Sequence, residues 1–236
     1  MRNKLFLAAI AVFLLTAVSC ERIFSTSLAP WAARDTYGDL TALTYADASR
    51  LLDEALANNN RQLAASLLPV FIKTFDATEK TAENYTTVGK DLFDCLYLAS
   101  NLTTAFNTLI LSLMETPEPD ETFLSGLAET FASMISWNDS FSAAMTACLD
   151  PDLFVVIDPN ALGLAAFALV MDVGEKLGLN TLDPTTITEP ADIDRLKDDT
   201  QFQLVLNIID ALSGVDPEQA PFVAMFATLF ADLTSL

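Results

Sequence analysis

The sequence predicts an all-α fold, a globular array of about nine helices with no significant sheet. Three observations predict it. Apolar residues recur at three- and four-residue spacing through most of the chain, capping residues and prolines punctuate those stripes, and glycine is scarce at seven, which suits helices joined by capped turns. The one strand-like run, LFVVI at 153–157, has no partner run of similar type, and an isolated strand does not hold. An apolar fraction of 52% with sixteen phenylalanines provides for a real core and excludes a disordered tail.

Residues 39–236 read as a single helical domain. Within it, 44–57 carries Leu51, Leu52, Ala55 and Leu56 at helical spacing, and Asn58, Asn59 and Asn60 stop that helix and cap the next. The second helix, 61–76, contains Pro69, which removes one backbone hydrogen bond and should kink the helix or split it. Residues 81–114 form a long helical stretch with Val88, Leu92, Leu96 and Ala99 on one stripe and a candidate interruption near Asn101. Pro117 and Pro119 mark a turn, and Glu118, Asp120 and Glu121 feed negative charge into a new first turn, where it complements the helix dipole. Phe123, Leu124, Leu127, Phe131, Met134 and Ile135 continue as one apolar stripe.

A helix over 138–149 and a proline-marked turn follow, and then Asp158, Pro159 and Asn160 open a helix that runs to about residue 177. Its segment 161–173 is apolar on every side apart from Asp172, so it should be the most buried helix, yet it is too short to span a bilayer. Gly178 and Asn180 end it, and 181–190, rich in Thr and Pro, is the longest expected loop. The last two helices are 192–213, with a candidate break near Asp198, and 216–233, where Asp216 caps, Pro217 suits the first turn and Gln219 reaches back.

Upstream of the domain, Met1–Cys20 has the grammar of a secretory signal: Arg2 and Lys4, an apolar run over 5–15, then Thr16, Ala17, Val18, Ser19 and Cys20. With cysteine following the small residues, the stretch resembles the lipobox of bacterial lipoproteins, although Ala17 stands where the commonest box has Leu. Spirochaete lipoproteins are known for such looser boxes. The resemblance implies removal of a signal peptide over 1–19, acylation of Cys20, and a place in the bacterial cell envelope, anchored to a membrane by acyl chains with the domain facing the periplasm or the exterior. Residues 20–38 then form a lipidated tether, and their FSTSLAPWAARD is similar to the post-cysteine segments of uncharacterised spirochaete lipoproteins. Further on, Leu67, Leu68, Pro69, Val70, Phe71, Ile72 and Lys73 resemble the L-P-x-x-I-K segment of tetratricopeptide-like lipoproteins that accompany some TRAP transporters. That family's later basic segments are missing, and no second helical pair of the 45–78 type repeats at a tetratricopeptide period.

The net charge of −20 argues against nucleic acid and against attraction to anionic lipid beyond the acyl anchor. No Lys or Arg occurs between Lys90 and Lys176 or after Lys197, so those regions are acidic and apolar only. A solvated face that keeps an apolar-rich chain soluble accounts for this better than a dedicated basic partner.

Absent residue types narrow the chemistry further. Histidine does not occur, which removes imidazole base chemistry, His-based zinc sites and Ser-His-Asp triads. No Gly-rich phosphate cradle, G-x-S-x-G elbow or EF-hand loop is present, and no cofactor is called for. Carboxylates such as Asp192 with Asp194, or Asp198 with Asp199, would serve a hydrolase only in a cleft that shifts one of them, and solvated surface is the better account. Cys95 and Cys148 are the thiols besides Cys20. Export permits a disulfide between them, which the chain-entropy model values at about 4 kcal/mol, yet their apolar helical contexts favour buried free thiols.

Two function classes remain. The first is a non-catalytic scaffold or accessory lipoprotein that contacts another envelope protein. The second is a periplasmic carrier or transporter-associated binding component, whose apolar small molecule would sit among Phe167, Met171, Phe226 and Phe230. A continuous cavity at those residues favours the second, and a filled core favours the first.

Overall fold

Thr44 starts the helical array in the computed structural model, which describes residues 40–115, 130–131, 133–135, 139–181, 184–216, 223 and 227–236. Its hydroxyl oxygen accepts from the Asp47 N–H at 3.3 Å and donates to the Asp47 carboxylate at 2.6 Å, satisfying one orphan donor at the start of α1 (Tyr45–Ala57). Asn59 takes a left-handed φ of 50°, and the Asn60 carboxamide oxygen accepts from Leu63 N–H at 3.1 Å to open α2 (Arg61–Asp76). Pro69 does not divide α2. Both Pro69 and Ala65, whose carbonyl loses its donor there, are exposed, so the freed acceptor is open to solvent.

Helix α3 (Tyr85–Ala99) lies along α2, and α1 covers the pair. Ala48, Leu52 and Ala55 on α1 meet Leu63, Leu67, Val70 and Phe71 on α2 and Val88, Leu92 and Leu96 on α3, all nearly inaccessible to water. Burying each large apolar side chain of this set stabilises by about 1.5–3 kcal/mol. Ring contacts fix the ends of the stack: Tyr45 sits edge-on to Phe71 at 6.2 Å, and Phe75 lies against Tyr85 at 5.4 Å. The interruption expected near Asn101 is present. Asn101 adopts φ 68°, a conformation that short polar side chains tolerate, and separates α3 from α4 (Leu102–Glu115).

After α5 (Asp139–Cys148), the Asp150 carboxylate caps a single 3-10 turn, Pro151–Leu153. The run LFVVI is therefore a turn. Leu153 and Ile157 point inward, and Leu153 rests where α3 carries Gly89; a Cβ on Gly89 would come within 2.9 Å of Leu153 Cδ2. Helix α6 (Pro159–Leu177) opens on Asp158, whose carboxylate accepts from Asn160 and Ala161 N–H at 3.0 Å each. Every residue of 162–170 is buried, as its continuous apolar sequence predicts. At the far end Gly178 takes φ 69°, the Leu179 N–H returns to the Gly174 carbonyl at 2.9 Å, and the Thr181 hydroxyl donates to the Val170 carbonyl at 2.8 Å.

A second 3-10 turn, Pro184–Thr186, lies within the expected loop. The candidate break near Asp198 is present: helices α7 (Pro190–Asp198) and α8 (Thr200–Leu212) divide the stretch expected over 192–213, because the Asp199 carboxylate stops one and caps the other, accepting from Gln201 and Phe202 N–H at 2.9 and 3.0 Å. Helix α9 (Ala227–Ser235) packs on α8 and on the Pro184–Thr186 turn. Helix α6 is the hub of this half, touching α4, α5, α7 and α8. Among the described residues the architecture is all-α, with nine α-helices, two 3-10 turns and no strand. The expected signal and tether at 1–38, the turn at Pro117 with Phe123, Leu124 and Leu127, and the opening of the last helix at Pro217 and Gln219 lie outside the described residues.

Candidate functional site

Three helices meet at a polar cluster inside an otherwise apolar half. Helix α6 contributes Asp172 and Lys176 one turn apart, α5 contributes Ser142 and Thr146 at the same spacing, and α8 contributes Gln201 from its first turn. The Asp172 Oδ2 atom is the common acceptor: Ser142 Oγ donates to it at 2.6 Å, Lys176 Nζ at 2.6 Å and Gln201 Nε2 at 3.2 Å. Gln201 Nε2 also reaches Ser142 Oγ at 2.6 Å and Thr146 Oγ1 at 3.2 Å, while Lys176 Nζ donates to Gln201 Oε1 at 2.7 Å. Every member has a partner, which is the condition under which a buried polar group does not destabilise.

A serine near a lysine invites a nucleophile reading. Lys176 Nζ lies 3.5 Å from Ser142 Oγ, but the hydroxyl proton is directed at Asp172, and Ser142 is only 1% exposed, so its oxygen has no route to a substrate. The cluster acts chemically as a clamp that joins α5, α6 and α8 in one register. Sequence reading left Ser142, Thr146 and Gln201 unnoticed; the only signal was Asp172, the lone charge in 161–173, with Lys176 four residues on.

The residues named for an apolar ligand are placed differently from one another. Phe167 is 3% exposed and sits edge-on to Phe131 at 5.3 Å, while Met171, one turn further along α6, is half-buried. Phe230 is buried on α9, and Phe226 lies outside the described residues. Cys95 and Cys148 are free and buried, with Sγ of Cys95 donating to the Ala64 carbonyl at 3.0 Å and that of Cys148 to the Met145 carbonyl at 3.3 Å. Burial pushes both thiols well above the ordinary value, and Asp91 and Asp94 push Cys95 further in the same direction. Asp199 is spent on capping α8, and Asp192 pairs with Arg195 at 3.0 Å, so these carboxylates serve helix ends. Cys20 lies outside the described residues.

A third feature is the turn between α5 and α6. Asp150 holds its base by accepting from Lys80, from Tyr85 Oη at 3.3 Å and from Asp152 N–H at 3.0 Å. Burial alone would raise the Asp150 carboxyl, but these donors, the Lys80 ammonium first, hold it below its usual range. Between the buried Leu153 and Ile157, Phe154 and Val156 are half-buried and Val155 is 86% exposed.

Among the described residues no group of three or more Cys, Asp or Glu could hold a metal ion, and no helix is long and apolar enough to cross a membrane. Compared with protein-family models, with curated proteins and with solved structures, the chain matches none of them.

Proposed function

We propose that this chain is a lipid-anchored protein of the bacterial envelope whose helical domain is a non-catalytic scaffold or accessory for contact with another envelope protein. Support for the anchor is the order of cation, apolar run, small residues and Cys20 in the first twenty residues. The observation that carries the choice of scaffold over carrier is the packing of α6. Its residues 162–170 are all buried, and Phe167 is filled against by the Phe131 ring, which favours a packed interior over a ligand chamber.

Two measurements test the two parts of the proposal. In detergent phase partitioning, Cys20→Ser should move the protein from the detergent phase to the aqueous phase, and equal partitioning of both forms would reject the anchor. Titration with a fluorescent fatty-acid analogue should show no saturable site; one-site binding weakened by Phe167→Ala, with little loss of melting temperature, would replace the scaffold with the carrier.

A further inference from the structure

The turn at 150–158 carries the most exposed large apolar side chain among the described residues, Val155, ahead of Leu111 and Leu56. Three consecutive apolar residues, the half-buried Phe154 and Val156 and the exposed Val155, reach solvent there. Such a run is a liability for association unless it is used, since LFVVI combines high β-propensity with no charge. The turn is also held rigid from several sides. Leu153 is locked on α3 at Gly89, Ile157 is buried, Asp150 is tied to Lys80 and Tyr85, and Asp158 caps α6. Backbone bonds from Leu153 N–H to Asp150 O at 2.8 Å and from Val156 N–H to Leu153 O at 3.0 Å close it.

We propose that Val155, held out by this turn between the exposed Asp152 and Asp158, is the apolar knob of a protein-docking surface whose partner offers an apolar socket rimmed by Lys or Arg. This rests on the interaction reading above and names the partner's chemistry. Charge complementarity selects the occupant. Asp152 and Asp158 stand three residues to either side of Val155, and the stretch between Lys90 and Lys176 has no cation; among the described residues Lys80 reaches in, bonded to Asp150 and interacting electrostatically with Asp152, which leaves the turn's three carboxylates in excess of one ammonium. Anionic lipid is repelled by that rim, as is a second copy presenting the same acidic face. A fixed knob also binds with little ordering cost, because its backbone is already in place.

The probe is a displayed library of random short peptides, selected on the full chain and then titrated individually. Enriched sequences should pair apolar residues with Lys or Arg, and Val155→Asp should weaken them about tenfold or more. Asp152→Lys and added salt should each weaken them again. Both positions are exposed, so melting curves should be unchanged; if Val155→Asp lowers them, Val155→Ser supplies the reading. Peptides that bind wild type and Val155→Asp alike would leave the interaction reading standing and overturn the knob. Failure to enrich any peptide overturns it too, as does Val155-dependent binding to phosphatidylcholine vesicles or Val155-dependent dimerisation without peptide binding. One-site fatty-acid binding strikes the scaffold reading separately.

Discussion

Asn101 Nδ2 donates to the Met134 carbonyl oxygen at 3.0 Å, joining residues 33 positions apart. The same residue holds φ 68° and so turns the chain between α3 and α4. Replacement by Gly keeps the turn and loses the tie, at about 1 kcal/mol, whereas Ala loses the tie and adds a left-handed penalty of about 1–2 kcal/mol. Chemical denaturation should rank stability as wild type, then Asn101→Gly, then Asn101→Ala. Equal Gly and Ala variants would show that the left-handed turn is not kept.

Removing the Asp172 carboxylate takes the shared acceptor from Ser142, Gln201 and Lys176; Lys176 keeps Gln201 Oε1 and Gln201 keeps Ser142 Oγ and Thr146 Oγ1, so the Ser142 hydroxyl is the donor left stranded. Lys176 is 40% exposed and can also turn to water, whereas Ser142 is buried, so Asp172→Ala should cost about 1–3 kcal/mol and Lys176→Met less. The reverse order, measured by thermal melting, would place the stabilisation in the ion pair.

Phe167→Ala should lower stability by about 3–5 kcal/mol through the cavity it leaves. A double-mutant cycle with Phe131→Ala should return a coupling of about 0.5–1.5 kcal/mol for the edge-on ring pair. A cost below about 1 kcal/mol would mean that the site is already hollow.

Both buried thiols are kept protonated and out of reach, so with Cys20→Ser in place a thiol reagent at pH 8 should label neither Cys95 nor Cys148 until denaturant is added. Rapid labelling of the native chain would show that α3 or α5 opens locally.

The Asp150 carboxyl is held below its unfolded value, and the Lys80 ammonium above its own. The stability that Asp150 contributes is therefore present above the unfolded carboxyl value of about 3.9 and is lost as pH falls through the lower folded value. For Lys80 it is present below about 10.4 and is lost as pH rises through the higher folded value. The stability difference between wild type and Lys80→Met should be flat across neutral pH and shrink at both extremes. A difference that peaks in acid would put the sign the other way.

Local rules made most helices legible. Thr44, Asn60, Asp158 and Gly178 announce ends that the structure keeps, because a cap is settled within a few residues. Of the two outcomes that Pro69 offered, a kink or a split, the structure excludes the split, and that depended on Ala65 facing water, which is a tertiary fact. The Ser142, Asp172 and Gln201 clamp was hidden for the same reason: its members are separated by about thirty residues each and converge only when α5, α6 and α8 pack. Exposure of Val155 was equally invisible, since LFVVI alone does not say which of its residues turn inward.

The seat of Leu153 on Gly89 also bears on how the chain is made. A ribosome releases α1, α2 and α3 well before Leu153, and until that residue emerges the surface between Gly89 on α3 and Phe75 on α2 lacks its plug. Synthesis at roughly 5–20 residues per second leaves that apolar window open for several seconds. A chain cut short before Leu153 would therefore lack the side chain that fills the space at Gly89, and a full-length one seals it only after the turn has arrived.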